Sequence, residues 1–223
     1  MGFAKEYQER EAGLKGLDNS PESVRRRNIQ AGIKDFRTFC NLRNPDFFKP
    51  ERAYQDEICH TLQAAYEKRL LNKSGQAADI LIINEPPGFG KSYTASTFIT
   101  WCMGKNPKTQ VIAVSYNQTL SLTFSKSVRE AIQDLEIPGD LSYYTVGSFF
   151  PDTRIKYGDG AMERWSLEGS YMSYLATSFD GSITGMRGNI GIIDDPLKNA
   201  KEAVDDNKKE EIWNFYKNTF QSR

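Results

Sequence analysis

The chain has 223 residues, of which 39% are hydrophobic and 26% are charged, as in an ordinary globular domain with a substantial core. Lysine and arginine together number 29, and aspartate and glutamate also number 29, so the formal net charge is zero. This balance excludes a general electrostatic attraction to nucleic acid, although it does not exclude a local basic patch.

The three cysteines, Cys40, Cys59 and Cys102, are widely spaced and form no C-x-x-C pair, which favours free thiols in a reducing cytosol. The longest apolar run, at residues 80–83, is far too short to cross a bilayer. The first residues lack the apolar stretch of a signal peptide. We therefore expect a soluble intracellular protein without a membrane partner.

Residues 1–45 are rich in charge and are predicted to form a helical N-terminal appendage. Ser20 followed by Pro21 is typical of a helix start, with serine as the cap and proline in the first turn. Apolar residues then recur at near-helical spacing, at Val24, Ile29, Ile33 and Phe36. The arginine run 25–27 is interpreted as an exposed helix face or, alternatively, as a contact for phosphate or nucleic acid.

Residues 45–50 break this pattern, and a single domain is predicted to occupy residues 46–223. A helical pattern returns over 51–71. The run 79–84 (DILIIN) is nearly continuous in apolar residues, which is typical of a strand buried on both faces of a parallel sheet. A loop rich in glycine and proline follows, and a helix is predicted over 91–103.

A second buried strand is predicted over 110–115, followed by a helix with apolar residues in steps of four. Residues 143–178 are rich in aromatic residues around turns and are predicted to contain several strands. A third buried strand is predicted over 190–193, and a last helix over 201–220. Because strands and helices alternate, the expected fold class is α/β with a mainly parallel sheet flanked by helices.

The loop after the first predicted strand carries most of the P-loop pattern G-x-x-x-x-G-K-[ST], with Gly90, Lys91 and Ser92 at its end and Glu85 in place of the first glycine. Its glycines let consecutive backbone N–H groups turn toward phosphate oxygens, and the helix N-terminus favours the same anion. Lys91 can reach the β and γ phosphates, and the Ser92 hydroxyl can bind Mg²⁺. The loop therefore predicts a nucleoside triphosphate site, and the alternative is a glycine-rich turn that binds nothing.

Two adjacent acids, Asp194 and Asp195, close the third predicted strand. Catalysis of phosphoryl transfer consists mostly of positioning and charge neutralisation. We assign Asp194 to Mg²⁺ and Asp195 to the attacking water, which it would orient and deprotonate. A solvated Asp-Asp-Pro turn is the alternative, but the combination with the phosphate loop favours hydrolysis of the nucleotide, which we expect to be ATP.

Four segments together resemble the N-terminal ATPase half of the large terminase subunit of tailed bacteriophages: 85–92 (EPPGFGKS), 184–188 (TGMRG), 191–198 (GIIDDPLK) and 213–223, which begins WNFY. The likeness covers about residues 45–223. The TGMRG run closely followed by IIDDP is more specific than the Walker motifs alone. The resemblance implies a RecA-like P-loop NTPase fold of the ASCE type, with an additional strand and a catalytic carboxylate.

The resemblance also implies roles for residues outside these motifs. Tyr54 and Gln55 resemble the family's adenine-recognition segment, for which one turn of an ordinary helix is the alternative. Arg187 resembles the arginine that reaches the γ-phosphate on a neighbouring subunit; a structural arginine is the alternative, and Arg154 and Arg164 are further candidates. The nucleotide-binding set implied by the loop and the resemblance is Tyr54, Gln55, Pro87, Gly88, Phe89, Gly90, Lys91, Ser92 and Tyr93.

The family couples ATP hydrolysis to the pumping of double-stranded viral DNA into a preformed capsid. The resemblance therefore implies ATP and Mg²⁺ as cofactors, and viral DNA, the portal protein and the small terminase subunit as partners. It also implies a homo-oligomeric ring on the capsid, with a monomer when alone as an alternative, and the cytoplasm of the infected bacterial host as the location.

Two departures from the family pattern affect these expectations. The family's second acid is often glutamate, whereas Asp195 is one methylene shorter, so the position of the water is expected to differ. The family's coupling motif and C-terminal nuclease domain are expected after the last helix, but the sequence ends at Arg223. We therefore expect a fragment, or alternatively a short homologue, with weak or no DNA cleavage.

Three other functions compete with the packaging motor. They are a helicase or other nucleic-acid-dependent ATPase on the same core, a small-molecule kinase, and a nucleotide-binding regulatory module without turnover. The acids 194–195 favour water activation over kinase chemistry, and a helicase would need a second RecA-like domain. Stimulation of hydrolysis by DNA would separate a motor from a kinase, and ring assembly on portals would separate packaging from unwinding.

Overall fold

The structure, a computed structural model, describes residues 18–181, 183 and 185–221. A four-stranded sheet with the order β2-β3-β1-β4 forms its centre. Strands β1 (Val111–Ser115), β3 (Tyr174–Ser178) and β4 (Ile190–Asp194) are parallel, and β2 (Arg164–Trp165) is antiparallel to β3. The predicted fold class, α/β with a mainly parallel sheet flanked by helices, is confirmed.

Helices precede the sheet, connect its strands and follow its last strand. They are α1 (Pro21–Lys34), α2 (Phe36–Arg43), α3 (Ala53–Tyr66), α4 (Lys91–Lys105), α5 (Gln118–Gln133), α6 (Val146–Phe149), α7 (Ala200–Ala203), α8 (Asp206–Phe215) and a π-helical turn (Tyr216–Phe220). None of the described helices is long and apolar enough to span a membrane.

The first helix begins where the sequence predicts. The Ser20 side chain accepts a hydrogen bond from the Ser23 N–H, and Pro21 occupies the first turn, where its missing N–H costs nothing. At the other end Asp35 has an extended backbone, and its side chain accepts from the Thr38 N–H. Asp35 thus ends α1 and caps α2 at the same time.

Strand β1 lies at the centre of the parallel part of the sheet. All five of its residues are buried, and it pairs along its whole length with β3 on one side and β4 on the other. Its near-continuous apolar sequence follows from this position, since the strand faces packed side chains on both sides of the sheet.

The two faces of the sheet are covered by different parts of the chain. On one face, Val111, Ala113 and Tyr174 belong to the larger core cluster, which also contains Trp101 of α4 and Val128 of α5. On the other face lies a smaller cluster of buried residues, Ile112, Val114, Leu175, Ile183 and Met186, against which Phe215 and Phe220 pack. The segment between β3 and β4 and the C-terminal helices therefore complete the second layer.

The N-terminal helices pack on this same core. Phe36 and Phe39 of α2 are fully buried in the larger cluster, and the Trp101 indole N–H donates to the Gly32 carbonyl at 3.0 Å. The Arg25 guanidinium of α1 donates to the carbonyls of Leu141 and Tyr143, and to Glu136, so this arginine of the 25–27 run has structural partners. The division of the chain at residue 45 stays a prediction.

The predicted strand over 79–84 is wrong. These residues form no strand in the structure, and Ile80 and Ile82 are 59% and 77% exposed. None of the described strands pairs with the segment, so its backbone has no ladder partner, and Leu81 and Ile83 are only partly covered. A buried strand needs paired neighbouring strands, and an apolar sequence pattern does not show whether those neighbours exist.

The prediction of several strands over 143–178 is also largely wrong. Within this region the structure has the short helix α6, the two residues of β2, the strand β3 and an isolated antiparallel bridge between Ile155 and Leu167. Aromatic side chains fill the core from loops as well as from strands, and the buried ones are Tyr144, Phe149, Phe150, Trp165 and Tyr174. The enrichment therefore reflects burial, not strand content.

The predicted last helix over 201–220 is interrupted once, between Ala203 and Asp206, and ends in a π-helical turn continuous with α8. Asp205 separates α7 from α8, and its side chain accepts from the N–H groups of Asn207 and Lys208. The π-helical turn then places the Phe220 ring against Gly191 of β4, where a Cβ atom would lie 2.5 Å from the ring. The glycine thus makes room for the helix to pack on the sheet.

Candidate functional site

The loop that leads into α4 is built to leave backbone N–H groups free. Gly88 and Gly90 have φ angles of 84° and 88°, in the left-handed region that glycine adopts without a steric cost. Gly90 is the N-cap of α4, and no side chain of the described residues caps it. The first N–H groups of α4 are therefore left for an anion, which the helix dipole also favours.

Glu85 stands where the P-loop pattern has its first glycine. It is not among the described non-glycine residues with a positive φ, so its backbone conformation does not need glycine. Burial raises the pKa of the Glu85 carboxyl, and the charge of Lys91 opposes this shift. One of its carboxylate oxygens is buried without a hydrogen-bond partner among the described residues. The departure from the pattern therefore adds a carboxylate to the loop without adding backbone strain.

Two contacts join the loop to the end of β4. The Ser92 hydroxyl donates to Asp194 Oδ2 at 2.7 Å, and Lys91 Nζ lies 3.3 Å from Asp195 Oδ1. Ser92 and Asp194 are 102 positions apart in the chain. The structure thus brings together the two motifs that the sequence singles out.

The backbone of Asp195 explains how two adjacent acids face the same loop. Successive side chains on a strand point to opposite faces, so Asp194 and Asp195 would diverge if β4 continued. Asp195 instead has a φ of 45°, in the left-handed region that aspartate and asparagine enter more readily than other residues with a side chain. The chain turns at this residue, and both carboxylates reach α4.

The Asp194 carboxyl lies in a buried position, with 8% of the residue exposed. Burial raises its pKa and the charge of Asp195 adds to this effect, while the hydrogen bond from Ser92 and the charge of Lys91 oppose it. A cation beside this carboxylate would stabilise its charged form.

Ser92 and Asp194 fit a Mg²⁺ ion. The ion takes oxygen ligands at about 2.1 Å in octahedral geometry, so neighbouring ligands lie about 3 Å apart. Ser92 Oγ and Asp194 Oδ2 lie 2.7 Å apart, an ordinary hydrogen-bond length, so both oxygens are close enough to reach one ion. Within the described ranges, no cluster of three or more His, Cys, Asp or Glu residues could hold a metal. The remaining ligands would therefore be phosphate and water oxygens, which Mg²⁺ commonly keeps.

The first turn of α3 lies against the loop. The Tyr54 and Phe89 rings are 5.2 Å apart, and the Tyr54 hydroxyl donates to the Phe89 carbonyl at 3.4 Å. Gln55 is 1% exposed, yet neither its amide nitrogen nor its amide oxygen has a hydrogen-bond partner among the described residues. Buried polar groups are nearly always paired, so this amide indicates a polar partner from a ligand or water.

The sequence did not predict two further contacts of the loop. The Asn44 amide donates to the Tyr93 hydroxyl at 3.0 Å. The Phe47 ring packs on Gly90 and lies 4.8 Å from the Tyr93 ring. The only sequence signal for these contacts is the aromatic pair 47–48 within the break between α2 and α3.

The remaining residues of the predicted nucleotide-binding set lie in the loop itself or on the first turn of α4. Pro87 is exposed, and Phe89 and Tyr93 are 43% and 39% exposed. These three side chains are thus open to a ligand from solvent, while Phe89 and Tyr93 are also held by Tyr54 and Asn44.

Arg187 lies at the other end of β4 from the acids. It precedes Ile190, the first residue of the strand, whereas Asp194 is the last, and four strand steps span about 13 Å. Arg187 is exposed and takes part in none of the ion pairs found among the described residues. Thr184, from the same motif, lies outside the described residues. The role of Arg187 on a neighbouring subunit stays a prediction.

Comparisons with protein families and with curated proteins add no name to this site. No protein-family model matches the chain, and no curated protein matches it at a significant level.

Proposed function

We propose that this chain binds ATP with Mg²⁺ at residues 85–92 and hydrolyses the ATP. The observation that carries the proposal is the pair of contacts, Ser92 with Asp194 and Lys91 with Asp195, at an uncapped helix N-terminus. The helix start thus carries a hydroxyl, an ammonium group and two carboxylates. These are the groups needed to position a triphosphate and to activate a water molecule. A RecA-like arrangement of the ASCE type is part of the proposal.

The residues act in a defined order. Lys91 leaves Asp195 for the β and γ phosphate oxygens, because a triphosphate carries more negative charge than one carboxylate. The freed Asp195 carboxylate then accepts a proton from the water whose oxygen bonds to the γ-phosphorus, while the bond from the γ-phosphorus to the β–γ bridging oxygen breaks and ADP leaves. Ser92 and Asp194 would hold Mg²⁺, which would supply positive charge to neutralise the triphosphate.

Adenine is the base that Gln55 suits. A glutamine amide can donate and accept at once, which matches the N7 acceptor and the N6 amino group of adenine. The amide of Gln55 is buried beside the loop with both atoms unpaired among the described residues, so the base would supply the missing hydrogen bonds. Guanine presents an oxygen in place of the amino group and would leave the amide half paired.

The base assignment predicts a change of selectivity in Gln55→Leu. ATP affinity should fall by about tenfold, the value of a lost buried hydrogen bond, and GTP affinity should change little. Binding of inorganic tripolyphosphate should be unchanged. Isothermal titration with all three ligands measures the effect, and an unchanged ratio of ATP to GTP affinity would count against adenine recognition.

Gln63 supplies a matched control. It is also a buried glutamine of α3, but its amide accepts from the Phe36 N–H and donates to the Lys34 carbonyl. Gln63→Leu should destabilise the protein and leave the selectivity between ATP and GTP intact. Gln55→Leu should cause little loss of stability in the absence of nucleotide, because its amide has no partner to lose.

We further propose that the ATPase belongs to a motor that packages double-stranded viral DNA into a capsid in the cytoplasm of the infected bacterial host. This part rests on the resemblance of segments 85–92, 184–188 and 191–198 to the large terminase subunit. It includes a ring of copies on the portal, contact with the small terminase subunit, and Arg187 acting on the nucleotide of a neighbouring copy.

Hydrolysis of ATP measured with and without linear double-stranded DNA tests the motor. The proposal predicts that DNA raises the rate, and that Lys91→Ala removes both the basal and the stimulated rate. A rate that DNA leaves unchanged, or transfer of the phosphate to a small molecule, would contradict the motor. Unwinding of a forked duplex by the chain would favour the helicase alternative.

A further inference from the structure

The ring of Phe47 lies directly on the loop glycine that precedes Lys91. A Cβ atom on Gly90 would lie 2.1, 2.7 and 3.2 Å from three atoms of the ring, with the ring tip closest. No side chain could occupy this position unless the ring moved. Phe47 therefore restrains the backbone of the phosphate loop from outside the loop.

Phe47 is itself held by its neighbours. Its N–H donates to the Asn44 side chain at 3.0 Å, and its carbonyl accepts from the Arg52 guanidinium at 3.2 Å. That guanidinium also lies 5.0 Å from the centre of the Phe47 ring. Tyr93, on the first turn of α4, packs on the ring in a T-shaped arrangement with centroids 4.8 Å apart, and accepts a hydrogen bond from Asn44. The ring is thus fixed from the N-terminal side and from the helix.

The loop needs such a restraint. Gly88 and Gly90 have positive φ, and glycine populates many backbone conformations besides the one seen here. The residues that enter the loop, 79–84, have no strand partner among the described residues to hold them. Packing by Phe47 is therefore one of the contacts, beside that of Tyr54 on Phe89, that hold the loop in the conformation in which the N–H groups of α4 are open to an anion.

We propose that Phe47 is a positioning residue, which holds the phosphate loop in the shape that binds the triphosphate group of any nucleotide. The inference rests on the proposed nucleotide function, but it assigns Phe47 to the phosphates and not to the base. Gln55 and Phe47 therefore divide the recognition between them. Gln55 reads the base, and Phe47 sets the loop that binds the phosphates.

Binding of ATP, GTP and inorganic tripolyphosphate with Mg²⁺ to Phe47→Ala tests this division. All three affinities should fall by the same factor, about tenfold to a hundredfold, because each ligand would lose the same hydrogen bonding from the loop to its phosphates, and a hydrogen bond to a charged group is worth a change of this size. Phe47→Leu, which fills part of the space, should give a smaller loss for all three. Phe47→Tyr should weaken binding as well, because its hydroxyl would extend the ring tip toward Gly90.

Tyr157→Ala is the matched control, since Tyr157 is 98% exposed and its truncation removes an aromatic ring without touching the loop. It should leave all three affinities unchanged. Thermal unfolding without nucleotide establishes that each variant is folded, and Phe47→Leu replaces Phe47→Ala if the latter is not.

The outcomes separate this inference from the function it rests on. Wild-type protein that binds neither ATP nor tripolyphosphate would overturn the proposed function itself. Wild-type protein that binds both, with folded Phe47 variants that bind equally well, would overturn only the role of Phe47. Loss of ATP affinity with tripolyphosphate affinity unchanged would also overturn it, by assigning Phe47 to the base.

Discussion

The two sides of the candidate site are supported in different ways. Asp194 sits at the end of β4, which pairs along its length with β1 at the centre of the sheet. The phosphate loop is instead entered by residues 79–84, which have no strand partner among the described residues. Its position is set by α4 and by side chains of the 44–55 segment. Side-chain packing can thus fix a catalytic loop where strand pairing does not.

The same contrast separates two apolar runs that look alike in the sequence. Residues 111–115 form a strand with all side chains buried, whereas residues 79–84 form no strand and are exposed or half-buried. The difference is in the neighbours, because β1 has a paired strand on each side and packed side chains on both faces. The composition of a run therefore does not decide its burial.

The largest expected effect comes from placing a charge in each run. Val114→Asp buries an unpaired carboxylate in β1, and should destabilise the fold by about 4 kcal/mol or more. Ile82→Asp places the same charge on an exposed side chain, and should change stability by less than about 0.5 kcal/mol. Urea unfolding followed by circular dichroism measures both. Equal losses would mean that residues 79–84 are packed in solution as the sequence predicts.

An intermediate effect is expected from replacing either of two glycines, one in the phosphate loop and one outside it, by alanine. Gly75→Ala and Gly90→Ala both force a side chain into a positive φ, which costs about 1–2 kcal/mol. Nothing lies within 4 Å of a Cβ atom at Gly75, whereas the Phe47 ring blocks that space at Gly90. Gly90→Ala should therefore lose more stability than Gly75→Ala, and only Gly90→Ala should lose ATP affinity. Equal losses of stability would show that the ring does not restrain the loop.

The smallest expected effect lies far from the site, where Arg25 and Ser148 bind Glu136. The hydrogen bond from Ser148, followed by the contact with Arg25, lowers the pKa of Glu136 below its ordinary value. A carboxyl with a lowered pKa contributes stability above its unfolded pKa, and this contribution is lost as the pH falls through the folded pKa. Glu136→Gln should cost less than about 1 kcal/mol at pH 7, because the side chain is half exposed.

The pH dependence checks this last prediction. The difference in unfolding free energy between wild type and Glu136→Gln should shrink as the pH falls below about 4.3, the ordinary pKa of glutamate. A difference that is constant from pH 7 to pH 3 would contradict a charge-based contribution.

The elements that the sequence predicted well carry local signals. Ser20 and Pro21 define the start of α1, and the runs 111–115 and 190–194 both pair as strands in the structure. Only the first is buried as predicted, because β4 is half-buried except at Gly191, which is exposed, and Asp194, which is buried. The two failures, at 79–84 and over 143–178, depend on distant neighbours. No local pattern reveals that Phe149 and Phe150 enter the core from a short helix and its end, and not from strands.

In the candidate site, too, the residues in short motifs could be predicted from the sequence, and the features that depend on three-dimensional packing could not. Lys91, Ser92, Asp194 and Asp195 belong to short motifs, so the sequence pointed to each of them before the structure brought them together. The left-handed turn at Asp195 and the packing of Phe47 on Gly90 have no such motif. Both result from how the chain turns or packs in three dimensions.

The most direct test of the central claim separates binding from hydrolysis at two residues that touch each other. Lys91→Ala and Asp195→Asn both remove the 3.3 Å ion pair, and asparagine also tolerates the left-handed backbone at position 195. ATP affinity and ATP turnover are measured for both and for wild type. Lys91→Ala should lose about tenfold to a hundredfold in affinity, whereas Asp195→Asn should bind ATP at least as well as wild type and lose about a hundredfold or more in turnover. Equal loss of binding in both variants would contradict the assigned roles.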